Sequence, residues 1–173
     1  PREPGEPRVA LTPENAAKFK KLGLEVSIEA GLGDGLGWSD QAYRDAGAEV
    51  VDGPAAASLS AGIVVRVRKP AVPAQSSAPG VVHVGSLDPF RERPLVEALA
   101  ASGVTAISVE MIPRTTIAQK MDVLSSQASL AGYEAVVLAA AKLDRIFPMM
   151  MTPSGTISPA KVFVIGAGVA GLQ

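Results

Sequence analysis

Between positions 114 and 127 the chain reads Arg-Thr-Thr-Ile-Ala-Gln-Lys-Met-Asp-Val-Leu-Ser-Ser-Gln, with Ala131-Gly132-Tyr133 close behind. Side chains able to hold a flat polar ligand are dense here. Arg114 offers a rigid planar fork of donors. Gln119 donates and accepts at once, as recognition of a carboxamide requires. Asp122 and Ser125 are three apart, so they share a face where a helix begins. A purely structural alternative uses the same residues: an Arg114–Asp122 ion pair tying loop to helix, with Gln119 and Ser125 as caps.

A second chemical signal lies at 161–173, KVFVIGAGVAGLQ. Val162–Ile165 is an unbroken apolar run, the pattern of a strand buried on both faces of a parallel sheet. Gly166, Gly168 and Gly171 follow in G-x-G-x-x-G spacing. The first glycine permits the tight turn, the second lets a pyrophosphate approach the backbone, and the third lets the new helix pack closely on the strand. That helix start presents unpaired N–H groups to phosphates. A tight strand-to-helix turn that binds nothing is the alternative. The second strand and the acidic residue expected about 20 positions on do not occur before Gln173, so the chain is expected to stop one turn into a second domain.

The elements that must position these groups alternate along the chain. Thr12-Pro13-Glu14 supplies an N-cap, a proline at the first helical position and an acid in the first turn, predicting a helix to about Leu22. Strands are predicted over 24–30, 48–51, 62–67, 81–84 and 104–109. Short helices are predicted after Ser39, from Gly53-Pro54, and over 91–102. Gly31–Gly37 and Lys69–Gly80 read as loops. Alternation of strands and helices argues for a parallel α/β layer structure. From Asp122 to about Leu143 apolar residues fall on nearly every face, which predicts a helix buried on several sides, joining the two domains and lining the cleft between them. Phe147–Lys161 reads as a loop. The expected architecture is a flavodoxin-like parallel-sheet domain (1–125), an interdomain helix and linker (126–160) and the start of a Rossmann dinucleotide-binding domain (161–173).

Composition excludes several classes. A net charge of −1 leaves no basic face for nucleic acid. No apolar run is expected to reach the length of a membrane span. With no cysteine and a single histidine, disulfides, thiolate catalysis and histidine metal sites are ruled out; Met149-Met150-Met151 reads as packing. The opening Pro1-Arg2-Glu3, without methionine or signal pattern, is expected to lie inside the true N-terminus.

The chain resembles the NAD(H)-binding alpha subunit of proton-translocating NAD(P) transhydrogenases, grouped with the alanine dehydrogenases. The marks are PREPGEPRVALTPE at 1–14, VVRVRKP at 64–70, EMIPRTTIAQKMDVLSSQASLAGY at 110–133, FPMMMTPSGTISPAKV at 147–162 and GAGVAGLQ at 166–173. Both families share RVALTP and GAGVAG; the 114–127 pattern is a transhydrogenase mark. The resemblance implies that Arg114, Gln119, Asp122 and Ser125 surround the nicotinamide and its ribose, with Arg114, Gln119 and Asp122 in the catalytic role. It implies that Gly166, Gly168, Val169 and Gly171 meet the pyrophosphate and adenosine side. It further implies NADP(H) on a partner subunit, membrane-embedded partner subunits, a homodimer, and a peripheral position at the cytoplasmic face of the inner membrane. The isolated 173 residues are expected to be inactive and to bind NADH poorly. Family members usually carry lysine where Arg66 stands.

The implied chemistry is hydride transfer between two nicotinamides, which needs positioning and dryness rather than a general acid or base. An amino-acid dehydrogenase does need a proton acceptor. His83 is the sole candidate, and it is read as a strand-end side chain satisfied by backbone, out of place for that role, whose removal costs little stability. Two alternatives stand beside the transhydrogenase reading. One is an alanine-dehydrogenase-like enzyme in which Arg8 and Arg66 grip a substrate carboxylate; the other is a non-catalytic fragment that folds and dimerises.

Overall fold

A computed structural model describes residues 5–53, 62–70 and 79–173. The helix expected to open at Gly53-Pro54 and most of the 69–80 loop lie outside the described residues. The chain divides into two compact units, 1–112 and 113–173.

The first unit is built from short parallel strands. Helix α1 (Pro13–Lys21) starts where the capping signal places it: the Thr12 side chain accepts from the Asn15 N–H, Pro13 opens the helix and Glu14 sits in its first turn. Gly23 takes φ +81° just beyond the helix end, the left-handed geometry that glycine adopts without strain. Strand β1 (Ser27–Glu29) pairs in parallel with β2 (Glu49–Val51), and α2 (Asp40–Asp45), capped by Ser39, connects them. Their core is Ala16, Ile28, Leu32, Tyr43 and Ala48. The Tyr43 hydroxyl, inside that core, donates to the Leu11 carbonyl at 2.8 Å, so burying the phenol leaves no polar group unmet.

Strands β3 (Ile63–Val65), β4 (Val82–Gly85) and β5 (Thr105–Ser108) form a second parallel sheet in that order. Helix α3 (Arg93–Ala101) runs between β4 and β5 and buries Leu95 and Leu99 with Leu87 and Val104. The fold is thus α/β with parallel sheets, as the alternation predicts. The observed strands are shorter than the apolar runs that announce them, and among the described residues of the first unit they form two sheets.

Glu6 ties the segment before α1 to the one after β3. Its nearly buried carboxylate accepts from Arg8 Nε at 2.7 Å, Arg8 Nη2 at 2.8 Å and Arg68 Nε at 2.5 Å. Arg8 foremost, and Arg68 after it, pull the carboxyl down to about 2 against the opposing effect of burial.

His83 departs from expectation. It is not at a strand end but inside β4, the central strand, paired with Val64 on one side and Ala106 on the other, and it is only 2 % exposed. Removing it would open a cavity, so His83→Ala costs more than a little stability. Burial, reinforced by the Arg66 charge, lowers its pKa from the ordinary 6.5. A depressed histidine pKa contributes stability that is present above 6.5 and is lost as pH falls below it. No other side chain here ordinarily titrates between pH 5 and 7.5. Urea unfolding should therefore show the midpoint falling from pH 7.5 to pH 5, and His83→Gln should flatten that dependence. An unchanged slope in the variant would refute the assignment.

The second unit holds α4 (Val123–Lys142), a hairpin of β6 (Met150–Thr152) and β7 (Gly155–Ile157), and the short α5 (Val169–Leu172). The hairpin lies in the stretch read as loop. Its two-residue Pro153-Ser154 turn before Gly155 was the available signal. Its exposed strands give almost no in–out alternation. Three further expectations are corrected. Along α4 only Gly132 is buried, and Leu130, Tyr133, Val136, Val137 and Leu138 are exposed. By length and composition α4 is also sufficient to cross a membrane, its most apolar stretch reaching a mean hydropathy of 1.2. Val162–Ile165 carries no strand pairing, and Phe163 and Ile165 are 88 % and 90 % exposed.

Candidate functional site

The second unit carries both groups of residues that the sequence singles out. Pro113–Ala118 is a strap of turns: the Thr115 N–H donates to the Pro113 carbonyl at 2.9 Å, and the Ala118 N–H to the Thr115 hydroxyl at 3.4 Å. A single 3-10 turn, Gln119–Met121, follows, and Asp122 caps α4. Asp122 Oδ1 accepts from the Ser125 N–H at 2.9 Å, and Oδ2 from the Ser125 hydroxyl at 2.6 Å. The shared face predicted for these two residues is thus a cap in which Ser125 donates both bonds and Asp122 accepts both. The Ser125 hydroxyl first, then the Ser125 N–H, and more weakly the Arg114 charge hold the Asp122 carboxyl below its usual range. The group is a carboxylate at neutral pH.

The structural alternative is not realised as stated: α4 is capped by Asp122, and Ser125 donates to that cap instead of forming it. Among the described residues no ion pair joins Arg114 to Asp122, and none of them forms a hydrogen bond with the Arg114 or Gln119 side chain. Both are exposed. The Arg114 guanidinium, whose charge acts on the ionised Asp122, and the Gln119 carboxamide are thus both open to solvent.

The glycines divide into distinct roles. Gly166 takes φ +101°, a conformation that strains any other residue. At Gly171 an added Cβ would lie 2.1 Å from the Gly166 carbonyl oxygen, so this glycine permits the α5 start to fold back on the turn. Gly168 caps α5 with φ −80° and ψ −173°. Those angles suit any residue, and a Cβ there would meet nothing within 4 Å. Neither backbone geometry nor internal packing accounts for glycine at 168, whereas a ligand lying against the backbone would. By that test the turn fits a dinucleotide pyrophosphate. Val169 opens α5 beside it and is 44 % exposed.

One helix links the two groups. Asp122 caps α4, and Gly132, ten residues further on, meets Ala170 of α5; ten residues of helix span ~15 Å. Sequence reasoning gives Gly132 no role. It also misses Glu110, whose carboxylate accepts from the N–H of Asp88, a residue at φ +49°. No local pattern marks either. A groove of about 580 Å³ lined by Ala140, Leu143, Phe147, Pro148 and Met150 contains none of the predicted site residues. Arg8, offered by the alternative reading as a carboxylate clamp, is engaged by Glu6.

Residues 2–131 match the N-terminal domain of the alanine dehydrogenase/PNT family, and residues 135–173 match its C-terminal domain. The chain belongs to that family. Within it, the similarity to transhydrogenases is high: 44 % identity with an NAD(P) transhydrogenase subunit alpha polypeptide of Rhodospirillum rubrum, over 99 % of this chain and 46 % of the relative. The crystal structure of a transhydrogenase from Sinorhizobium meliloti superposes with a TM-score of 0.92 at 46 % identity, over 100 % of this chain and 50 % of that one. An L-alanine dehydrogenase structure superposes at 0.84 with 30 % identity, covering 99 % and 48 %. The chain therefore spans about half the length of these relatives.

Proposed function

We propose that this chain is the NAD(H)-binding portion of an NAD(P) transhydrogenase alpha subunit. The observation that carries the reading is the strap: exposed Arg114 and Gln119 on the segment that leads into Asp122, whose carboxyl the Arg114 charge helps keep ionised. In this reading Arg114, Gln119, Asp122 and Ser125 hold the nicotinamide end, and Gly166, Gly168, Val169 and Gly171 the pyrophosphate and adenosine side. The bound nicotinamide supplies hydride, and NADP⁺ on a partner subunit receives it. This chain's residues bind and orient the ring; Asp122, kept ionised by Ser125, leaves Arg114 and Gln119 as the donors that fix the carboxamide. No side chain has to move a proton.

The wider reading includes membrane-embedded subunits that couple the transfer to proton translocation, a homodimer, and a peripheral position at the cytoplasmic face of the inner membrane. The exposed apolar residues of α4 support burial against further protein. The division into a 1–125 domain, a 126–160 linker and a Rossmann portion from 161 belongs to the same proposal.

The test pairs the full-length protein with its NADP-binding partner and follows reduction of an NAD analogue by NADPH, with alanine plus NAD⁺ as the control. Transfer without alanine oxidation is expected. Alanine-dependent NADH production that disappears in His83→Ala would instead support the amino-acid dehydrogenase.

A further inference from the structure

Glycine is a poor residue for a helix interior, surpassed in cost only by proline. Gly132 nevertheless stands in the middle of α4, and it is the one buried residue of that helix. The reason lies in what faces it. A Cβ built on Gly132 would fall 2.3 Å from the Ala170 carbonyl oxygen and 3.1 Å from both the carbonyl carbon and Cα of Ala170. All three atoms are backbone, so no rotamer change relieves the overlap. Ala170 is one of the three variable residues of the G-x-G-x-x-G turn, between Val169 and Gly171. A second tie lies three residues back, where the Ser129 hydroxyl donates to Gln173 Oε1 at 2.6 Å.

We infer that Gly132 is a positioning residue for the nucleotide: its bare Cα is the notch in which the Ala170 peptide seats, and this seating sets where the Gly166–Gly171 turn meets a dinucleotide. This rests on the nucleotide reading proposed above and adds a residue outside the turn. Gly171 clears the turn from the inside, against the Gly166 carbonyl, and Gly132 clears it from the outside, against α4. Any side chain at 132 must push the α5 start away from α4, and the turn moves with it because the two are covalently continuous.

The role separates from simple packing by what it changes. Replacing glycine with alanine favours the helix itself, so Gly132→Ala should lower Tm by no more than about 3 °C. The displaced turn should weaken ADP-ribose and NADH about tenfold alike, because both carry the pyrophosphate. Single-turnover hydride transfer at saturating NADH should stay within about twofold, since the strap before α4 is untouched. Ser129→Ala, which removes one hydrogen bond and no packing, should weaken ADP-ribose in the same direction by about two- to fivefold. The double variant Gly132→Ala/Ala170→Gly should not recover affinity, because the overlap is with backbone.

Calorimetric titration of the full-length protein with ADP-ribose and NADH, with circular dichroism as the folding control, carries the test. Unchanged ADP-ribose affinity in folded Gly132→Ala overturns the inference, as does recovery in the double variant. If Gly132→Ala does not fold, Ser129→Ala decides, and unchanged affinity there overturns it. Failure of the unaltered protein to bind ADP-ribose or NADH would remove the nucleotide reading itself, a result distinct from any behaviour of the variants.

Discussion

Arg114→Ala, in the full-length protein with its NADP-binding partner, is expected to slow single-turnover hydride transfer about 100-fold while weakening NADH binding less than about fivefold. Arg114 is exposed, makes no ion pair among the described residues, and stands on a strap of consecutive turns that hold its backbone. Its removal leaves no buried group unmatched, so the protein should stay folded. What is lost is a planar fork that can fix the angle of a reacting ring, and a misplacement of about 1 Å can cost on the order of 100-fold in rate. Binding should suffer less because the adenosine and pyrophosphate side supplies most of the contacts in this reading. Lysine should rescue poorly, since an ammonium is a point charge without the fork. A single-turnover rate equal to that of the unaltered protein would refute the role.

Gly171→Ala should weaken NADH at least about 100-fold, a loss of some 2.7 kcal/mol or more in binding free energy. The new Cβ would sit 2.1 Å from the Gly166 carbonyl oxygen and 3.4 Å from Val164 Cγ1. The first of these is backbone in a turn already at φ +101°, so relief requires the turn to open. Gly168→Ala tests the complementary idea. It meets nothing within 4 Å, so the free protein should lose no stability while the bound dinucleotide collides with the methyl group. Calorimetry with thermal unfolding on both variants checks this pair. Equal affinities for NADH in Gly171→Ala and the unaltered protein would refute the packing argument.

Local chemistry was legible in the sequence wherever one residue decides one bond. Thr12 before Pro13-Glu14, Ser39 before Asp40, and Asp122 three residues ahead of Ser125 each announced a helix start, and each caps one. Gly23, Gly47 and Gly103 stood at helix ends and take positive φ. The order of strands and helices, and hence the parallel α/β class, followed from apolar runs separated by such punctuation. The Arg114–Ser125 cluster was legible because its members are neighbours in sequence; the structure adds that Asp122 caps α4 with Ser125 and that no ion pair reaches it from Arg114.

Sequence by itself determined the caps, the element order, the glycine turn and the family resemblance, because each depends on residues a few positions apart. Only the tertiary structure decided the rest. His83 read as a strand end because its own segment cannot say that β3 and β5 flank it. Val162–Ile165 has the composition of a strand, but a strand is made by hydrogen bonds to a neighbour, and no described residue supplies them. The hairpin at 150–157 stayed hidden because exposed strands need no alternation. Gly132 stood out only as a glycine inside an expected helix: its meaning lies in the backbone of Ala170, 38 positions away, and contact at that separation is a property of packing alone.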